Sequence, residues 1–282
     1  MNATTRRLGI TLAGVLLGFA LVGALLAACM ANSRHTASGP SAPGTASATA
    51  TSTLPPIPEP KVSDAVKAKL PRATTSGKVP TAPIDLTTGS GGKVIKVGTD
   101  QVGFARPGST PITFIPASQF GSALWLPVIT SERGWAQVRL PSRPNGSTAW
   151  IPEADRSVAV TAWRVSISLS KDTLTIYQGQ KQTGEWPIGK GKKGTPTPVG
   201  QTFLLAGFVD PTQKFSPVIY ATGAHSDTLD TFGGGPGTVA VHGWPTAVGR
   251  TGEVSHGCVR VPAEALTAFG KLPAGTPIDI SR

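Results

Sequence analysis

The residues with the plainest capacity for chemistry lie in one short segment. Val239-Ala240-Val241, an apolar run suited to a strand, leads into His242 and a glycine-containing turn. Sixteen positions after His242 stands the Cys of Ser255-His256-Gly257-Cys258-Val259-Arg260. A thiol is a strong nucleophile only as thiolate, and a neighbouring imidazole that takes its proton supplies that form. Cys258 with His242 as base is therefore a minimum set for acyl transfer. Gly257 has no side chain to block a carbonyl and tolerates the angles of a tight turn. Backbone N–H groups at such a turn would serve as an oxyanion hole.

Other readings of the same residues exist. Zinc sites usually take three or four protein ligands, and here only His242, His256, Cys258 and the distant His225 are at hand, with no Cys-x-x-Cys pair. The expectation is no metal, and the pair needs no organic cofactor. A buried, inert Cys258 is the structural alternative. Neither Asp230 nor Glu253 stands out as a partner to orient His242, and a backbone carbonyl would do that work instead.

The first residues place the chemistry outside the cytoplasm. Arg6 and Arg7 precede an uncharged apolar run from Leu8 to Met30, the layout of an export signal. An uncleaved anchor is the alternative, since about 20 apolar residues also span a bilayer. Leu26-Ala27-Ala28-Cys29 resembles the lipobox of bacterial lipoproteins, which implies cleavage after residue 28 and a lipid on Cys29. The chain has only two cysteines, so Cys258 would then be a free thiol in an oxidising compartment, where disulfides are otherwise the rule. The net charge is +11, yet the basic residues are scattered. With no Lys/Arg run interleaved with aromatics there is no nucleic-acid signal, and anionic lipid or wall polymer is the better partner.

The elements that must position the pair come next. Residues 29–92 are rich in Ala, Ser, Thr, Pro and Gly, and read as a disordered tether with a short helix over Val62–Leu70. Residues 93–160 alternate short β-favouring runs with turns, as a small barrel does: Val94–Val97, Pro111–Ile115, Ala123–Ile129, Gly134–Leu140 and Thr148–Ile151. Within them Leu126–Ile151 resembles bacterial SH3-like domains. Residues 161–282 hold a second set of strands. In Trp163–Leu169, Val165, Ile167 and Leu169 alternate with polar residues, and Gly179-Gln180 reads as a turn between Thr173–Tyr177 and Lys181–Ile188. One helix, Pro262–Gly270, follows the Cys258 motif, with Pro near its start and Gly at its stop. The fold class expected is mainly β.

At greater length the motif is specific. His242-Gly243-Trp244 through Ser255-His256-Gly257-Cys258-Val259-Arg260 resembles the signature of the L,D-transpeptidases. Gly191–Gly200, which contains Thr195-Pro196-Thr197-Pro198-Val199-Gly200, resembles the Thr-Pro-x-Gly turn of that family, and Asp230–Gly237 fits as well. The resemblance covers Trp163 to Arg282, a little under half the chain. It implies a β-sandwich-like domain in which Cys258 is acylated and His242 is general base and acid. Ser255, His256, Gly243 and Gly257 would shape the site, and Arg260 would support the catalytic loop or simply brace it. Tyr220, Ser226 and His225 would border a donor-peptide pocket, His225 reading equally as a surface loop residue. Trp244 stands where the family often has a small or polar residue, and would narrow the cleft or stack on substrate.

The implied partners are peptidoglycan stem peptides and carbapenem-type inhibitors, with the membrane reached through Cys29. The implied reaction cross-links third stem residues through a thioester. Water as acceptor would make it an L,D-carboxypeptidase, and a wall-binding lipoprotein without turnover is the competing class. A catalytic Cys258 is expected to have a depressed pKa.

Overall fold

Runs of β-branched and aromatic residues become strands where one face can be buried. The computed structural model of the chain, which describes residues 54–282, is accordingly mainly β. The expected signal segment 1–28, Cys29 and the tether as far as residue 53 lie outside the described residues.

Between Lys93 and Val160 run β1 (Lys93–Lys96), β2 (Gln101–Phe104), β3 (Pro111–Ile115), a small hairpin of β4 (Ser118–Gln119) and β5 (Ser122–Ala123), β6 (Trp125–Glu132), β7 (Trp135–Arg139), β8 (Thr148–Pro152) and β9 (Val158–Val160). All but the small hairpin form one antiparallel sheet, in the order β3-β2-β8-β7-β6-β1-β9. Ile95, Leu126, Val138 and Ile151 are fully buried in it. The five expected strands are present, and β2 and β9 are additional. Gly103 hid β2 from a propensity reading. A Cβ there would stand 2.8 Å from Thr113 Cγ2 and 2.9 Å from Ala149 Cβ, so the glycine permits close approach of neighbouring strands.

Residues 54–92 correct the tether expectation. Such a stretch cannot build a core of its own, but the sheet lends it one: Ala73, Val79 and Ala82 are buried against it. The remaining fastening is polar. Trp135 Nε1 donates to Ile57 O (2.7 Å), Ala73 N–H to Phe114 O (2.8 Å), Val79 N–H to Arg143 O (2.8 Å) and Thr148 N–H to Pro83 O (2.8 Å). A one-turn helix, α1 (Asp64–Lys67), lies within the helix expected there.

From Trp163 onward the strands are β10 (Trp163–Ser168), β11 (Thr173–Gln178), β12 (Lys181–Pro187), β13 (Gly189–Gly191), β14 (Gly200–Phe208), β15 (Ile219–His225), β16 (Thr238–Gly243), β17 (Gly252–Ser255), β18 (Val259–Val261) and β19 (Pro277–Ser281). Their order is β12-β11-β10-β19-β14-β15-β16-β18-β13-β17. The pairs β10–β19, β16–β18 and β13–β17 are parallel and the rest antiparallel. Val165 and Ile167 face inward, as their alternation predicts. The turn at Gly179 has φ +59°, a left-handed position that favours glycine.

Helix α2 (Ala263–Phe269) packs Ala265, Leu266 and Phe269 into the core. Gly270 follows its last turn, but not in the left-handed conformation that usually makes glycine a helix stop. Its φ is −62°, an ordinary helical angle, but a Cβ would stand 2.7 Å from the Tyr220 hydroxyl. One apolar cluster also runs through both sheets, joining Phe203, Leu205, Ala206 and Ala221 of β14 and β15 to Ile95, Leu126 and Val138.

Candidate active site

The parallel pairing of β16 with β18 sets the site. Val241 lies opposite Val259 and His242 opposite Arg260. Side chains alternate along strands, so Arg260 and Cys258, two residues earlier, fall on the face that carries His242. Val241 and Val259 point the other way into the core, fully buried. The apolar run thus fixes the strand while the intervening residues supply chemistry.

His242 is buried, and its Nδ1 lies 2.7 Å from Gly243 O. A carbonyl only accepts, so Nδ1 carries the proton and Nε2 holds the free lone pair. The backbone carbonyl expected to orient the ring is this one. Burial pushes the imidazole down to about 4, with the cationic Arg260 adding to the effect and the Gly243 bond opposing it. His242 is therefore held neutral, with Nε2 unprotonated, at neutral pH. Phe215 packs 4.9 Å from the ring, centroid to centroid, and Ser216 Oγ accepts from Gly243 N–H (2.7 Å).

Cys258 keeps partial exposure to the cavity while its sulfur is densely surrounded. Burial raises the thiol above its ordinary value, although a backbone hydrogen bond from Ala240 and the charge of Arg260 oppose this. That corrects the expectation of a depressed pKa. With the imidazole held low and the thiol held high, the neutral form of each is the favoured one at rest. Cys258 Sγ lies 3.9 Å from Thr238 O, the limit of a weak thiol hydrogen bond.

The turn before Cys258 is built by hydroxyls. Ser255 Oγ donates to Cys258 O (2.6 Å) and accepts from Gly257 N–H (3.1 Å). Thr197 Oγ1 donates to Gly257 O (2.9 Å) and accepts from Gly191 N–H (2.9 Å). Gly257 has φ +122°, a region closed to most side chains. With its carbonyl turned to Thr197, the trans peptide that follows directs the Cys258 N–H the opposite way, a suitable donor for an oxyanion beside its own sulfur.

His242, Trp244, Ser255, His256, Cys258, Arg260 and Ser226 all border one cavity of about 250 Å³. His256 is exposed and stacks with Phe232 at 4.8 Å. The Arg260 guanidinium lies 3.5 Å from the centre of the Trp244 ring and donates to Gly249 O (3.2 Å). Trp244 is held as a wall, with Arg250 Nη1 donating to its carbonyl at 2.5 Å. Ser226 is buried, and its Oγ accepts from Leu229 N–H (3.1 Å), so it shapes the loop at the cavity's edge.

Tyr220 does not join them. It packs on Phe269 at 5.2 Å, centroid to centroid, and borders a separate cavity against α2. His225 is not a surface residue either: it is 1 % exposed, with Nε2 2.8 Å from Thr75 O. Sequence reading missed Phe215, Ser216, Thr197, Thr238, Leu229 and Phe232. Thr197 and Phe232 sat in stretches whose resemblance could have flagged them. Among the described residues no group of three metal-ligating side chains gathers.

A thiol, an imidazole and a built turn bordering one cavity of a mainly β domain are the groups that acyl transfer requires. Residues 162–280, a little under half of the chain, match the family model described as the YkuD L,D-transpeptidase catalytic domain. Three solved structures are similar. A Bdellovibrio bacteriovorus protein is 20% identical over 43% of this chain and 48% of its own, with a TM-score of 0.33. An L,D-transpeptidase from Mycobacterium smegmatis is 16% identical over 72% and 96%, with a TM-score of 0.34. L,D-transpeptidase 3 from Mycobacterium tuberculosis, in complex with a faropenem-derived adduct, is 15% identical over 67% and 81%, with a TM-score of 0.36. The similarity to the first spans about half that protein's length. No curated protein sequence matches this chain.

Proposed function

We propose that this protein is an L,D-transpeptidase that joins third stem residues of peptidoglycan through a thioester on Cys258. The observation that carries the reading is the His242 tautomer: Nδ1–H is committed to Gly243 O, and the Nε2 lone pair remains for a proton from the thiol that shares its cavity. Cys258 sulfur attacks the carbonyl of the third stem residue of a tetrapeptide while Nε2 takes its proton. The developing oxyanion meets the Cys258 N–H. The C–N bond to terminal D-alanine breaks, and His242 returns the proton to the leaving amine. A side-chain amine of a second stem attacks the thioester, loses a proton to His242 and releases the thiol. Water in place of the amine gives a carboxypeptidase.

No metal or organic cofactor enters these steps. Ser255, Gly257, Gly243 and His256 shape the site, and Arg260 with Trp244 forms one wall. Export and a lipid on Cys29 would set the enzyme at the membrane surface facing the wall. A carbapenem, whose strained lactam offers an equivalent carbonyl, is expected to acylate the same sulfur.

The test is intact-mass spectrometry of the full-length chain with a disaccharide-tetrapeptide and, separately, with a carbapenem, alongside Cys258→Ala. An adduct confined to wild type, with a cross-linked dimer lacking one D-alanine, is expected. A monomeric tripeptide alone would assign the hydrolase. Absence of adduct and product from folded protein would overturn the enzyme reading in favour of wall binding.

A further inference from the structure

One part of the lining of the thiol cavity comes from the loop between β15 and β16, through Leu229 and Phe232. This loop has little packing of its own. Its tip is a narrow hairpin in which Phe232 N–H donates to Gly235 O (3.0 Å) and Gly235 N–H returns the bond to Phe232 O (2.9 Å). Phe232 is 53% exposed, its ring tilted 30° against His256. A loop built in this way keeps one shape only if something ties its two ends.

That tie comes from outside the catalytic domain. Arg143, in the turn between β7 and β8, places Nη2 2.7 Å from Pro236 O, 3.1 Å from Leu229 O and 3.3 Å from Asp230 O. One guanidinium thus gathers carbonyls from both ends of the loop. Its Nε lies 3.8 Å from the Asp230 carboxylate, and Lys78 reaches the same carboxylate at 3.3 Å. The chain closes tightly around the group: a Cβ on Gly237, whose φ is +64°, would stand 2.5 Å from Leu229 O and 3.0 Å from Arg143 Nη2.

Arg143 is itself fixed. Its N–H donates to Gly77 O (3.0 Å), and its carbonyl accepts from Val79 N–H (2.8 Å). Two residues on, Asn145 brackets His225 at the end of β15, accepting from its N–H and donating to its carbonyl, both at 2.8 Å. The family match begins at residue 162, so the groups that fasten this wall belong to a part of the chain the match does not include.

We propose that Arg143 is a positioning residue for acyl transfer: by tying both ends of the Leu229–Pro236 loop, it holds Leu229 and Phe232 as the wall against which a donor peptide or lactam is aligned on Cys258. The inference rests on Cys258 being the nucleophile. Arg143 touches no substrate and moves no proton. Its effect is orientation, where displacement of a binding wall by about 1 Å can cost on the order of 100-fold in rate.

The test compares wild type with Arg143→Ala, Arg143→Lys and Phe232→Ala in the full-length chain. Four quantities are read: acylation by a carbapenem, alkylation of Cys258 by iodoacetamide, melting temperature and amide exchange across residues 226–237. In Arg143→Ala, carbapenem acylation is expected to fall about tenfold or more, with faster exchange confined to 226–237. Iodoacetamide, which needs no aligned wall, should react at least as fast as with wild type. Arg143→Lys keeps the charge but loses the planar fork, and should recover only part of the rate. Equal carbapenem acylation in wild type and Arg143→Ala would overturn the proposal, as would a parallel fall in both reagents. Should Arg143→Ala not fold, Phe232→Ala decides: this exposed position is expected to lose acylation without loss of stability, and an unchanged rate overturns the proposal. A wild type that takes no carbapenem fails the enzyme reading instead, before any variant is compared.

Discussion

Adjacent strands end in two histidines that share nearly every physical property. His225 closes β15, and His242 stands next to last in β16. Each is buried, each gives one ring N–H to a backbone carbonyl, and burial pushes each down to about 4. They differ in the second nitrogen. His242 Nε2 remains for a cavity that contains a thiol, whereas His225 Nδ1 is enclosed and has no hydrogen-bond partner among the described residues. A perturbed imidazole is thus not by itself a sign of catalysis. What separates the proposed base from the brace is where the free lone pair lies, and the same shift accompanies both.

The sharpest way to break this comparison is substitution at each site. Cys258→Ala should abolish acylation, and His242→Gln should lower its rate by about 10²–10⁴-fold, read by intact mass over time. His225→Gln should leave acylation close to wild type but lower stability by about 1–3 kcal/mol, the cost of disturbing a buried hydrogen-bonded group, read by denaturant melts. If His225→Gln silenced the thiol as thoroughly as His242→Gln, the distinction would fail.

A second effect is expected from pH. With folded values near 4 against an ordinary 6.5, the unfolded chain binds protons first as pH falls. The stability from these two neutral imidazoles is complete above about 6.5 and is lost progressively down to about 4. Each contributes a slope of up to about 1.4 kcal/mol per pH unit within that window. His225→Gln should halve the slope. The slope should also remain after Cys258→Ala, since it reflects burial and not reaction.

Next in size is Ser255→Ala, which removes a hydroxyl that braces the turn on both sides. A loss of about 1–3 kcal/mol is expected, together with slower carbapenem acylation, because the Cys258 N–H is no longer held in place. Smallest is the pH response of the thiol. Iodoacetamide should alkylate Cys258 slowly at neutral pH and faster only above the ordinary cysteine range, because burial raises the thiol. Rapid alkylation at neutral pH would show a preformed thiolate and alter the order of proton transfer.

The sequence made the β16–β18 half of the site legible because its chemistry and its scaffold alternate along the same strands. Val239-Ala240-Val241 reads as a strand that delivers His242, and the Ser255–Arg260 motif marks Cys258 and Arg260, although β18 itself was not anticipated. The same logic failed for the other walls. Phe215 and Leu229 are ordinary apolar residues in loops, and nothing in their spacing binds them to a cysteine 43 and 29 positions away, while Phe232 lay in a stretch marked only by its resemblance. Arg143 was still less visible, since a guanidinium that recognises backbone carbonyls leaves no trace in its partners' identities. The misreading of residues 54–92 has a similar cause. Composition reports whether a segment can bury itself, not whether a neighbouring sheet will bury it.

The apolar cluster that passes from Ile95, Leu126 and Val138 into Phe203, Leu205 and Ala221 governs how this molecule comes apart. Neither sheet can shed the other without exposing its own interior, so heat should be absorbed in a single calorimetric peak. A protease that nicks the chain between the two sheets should then release no lasting fragment.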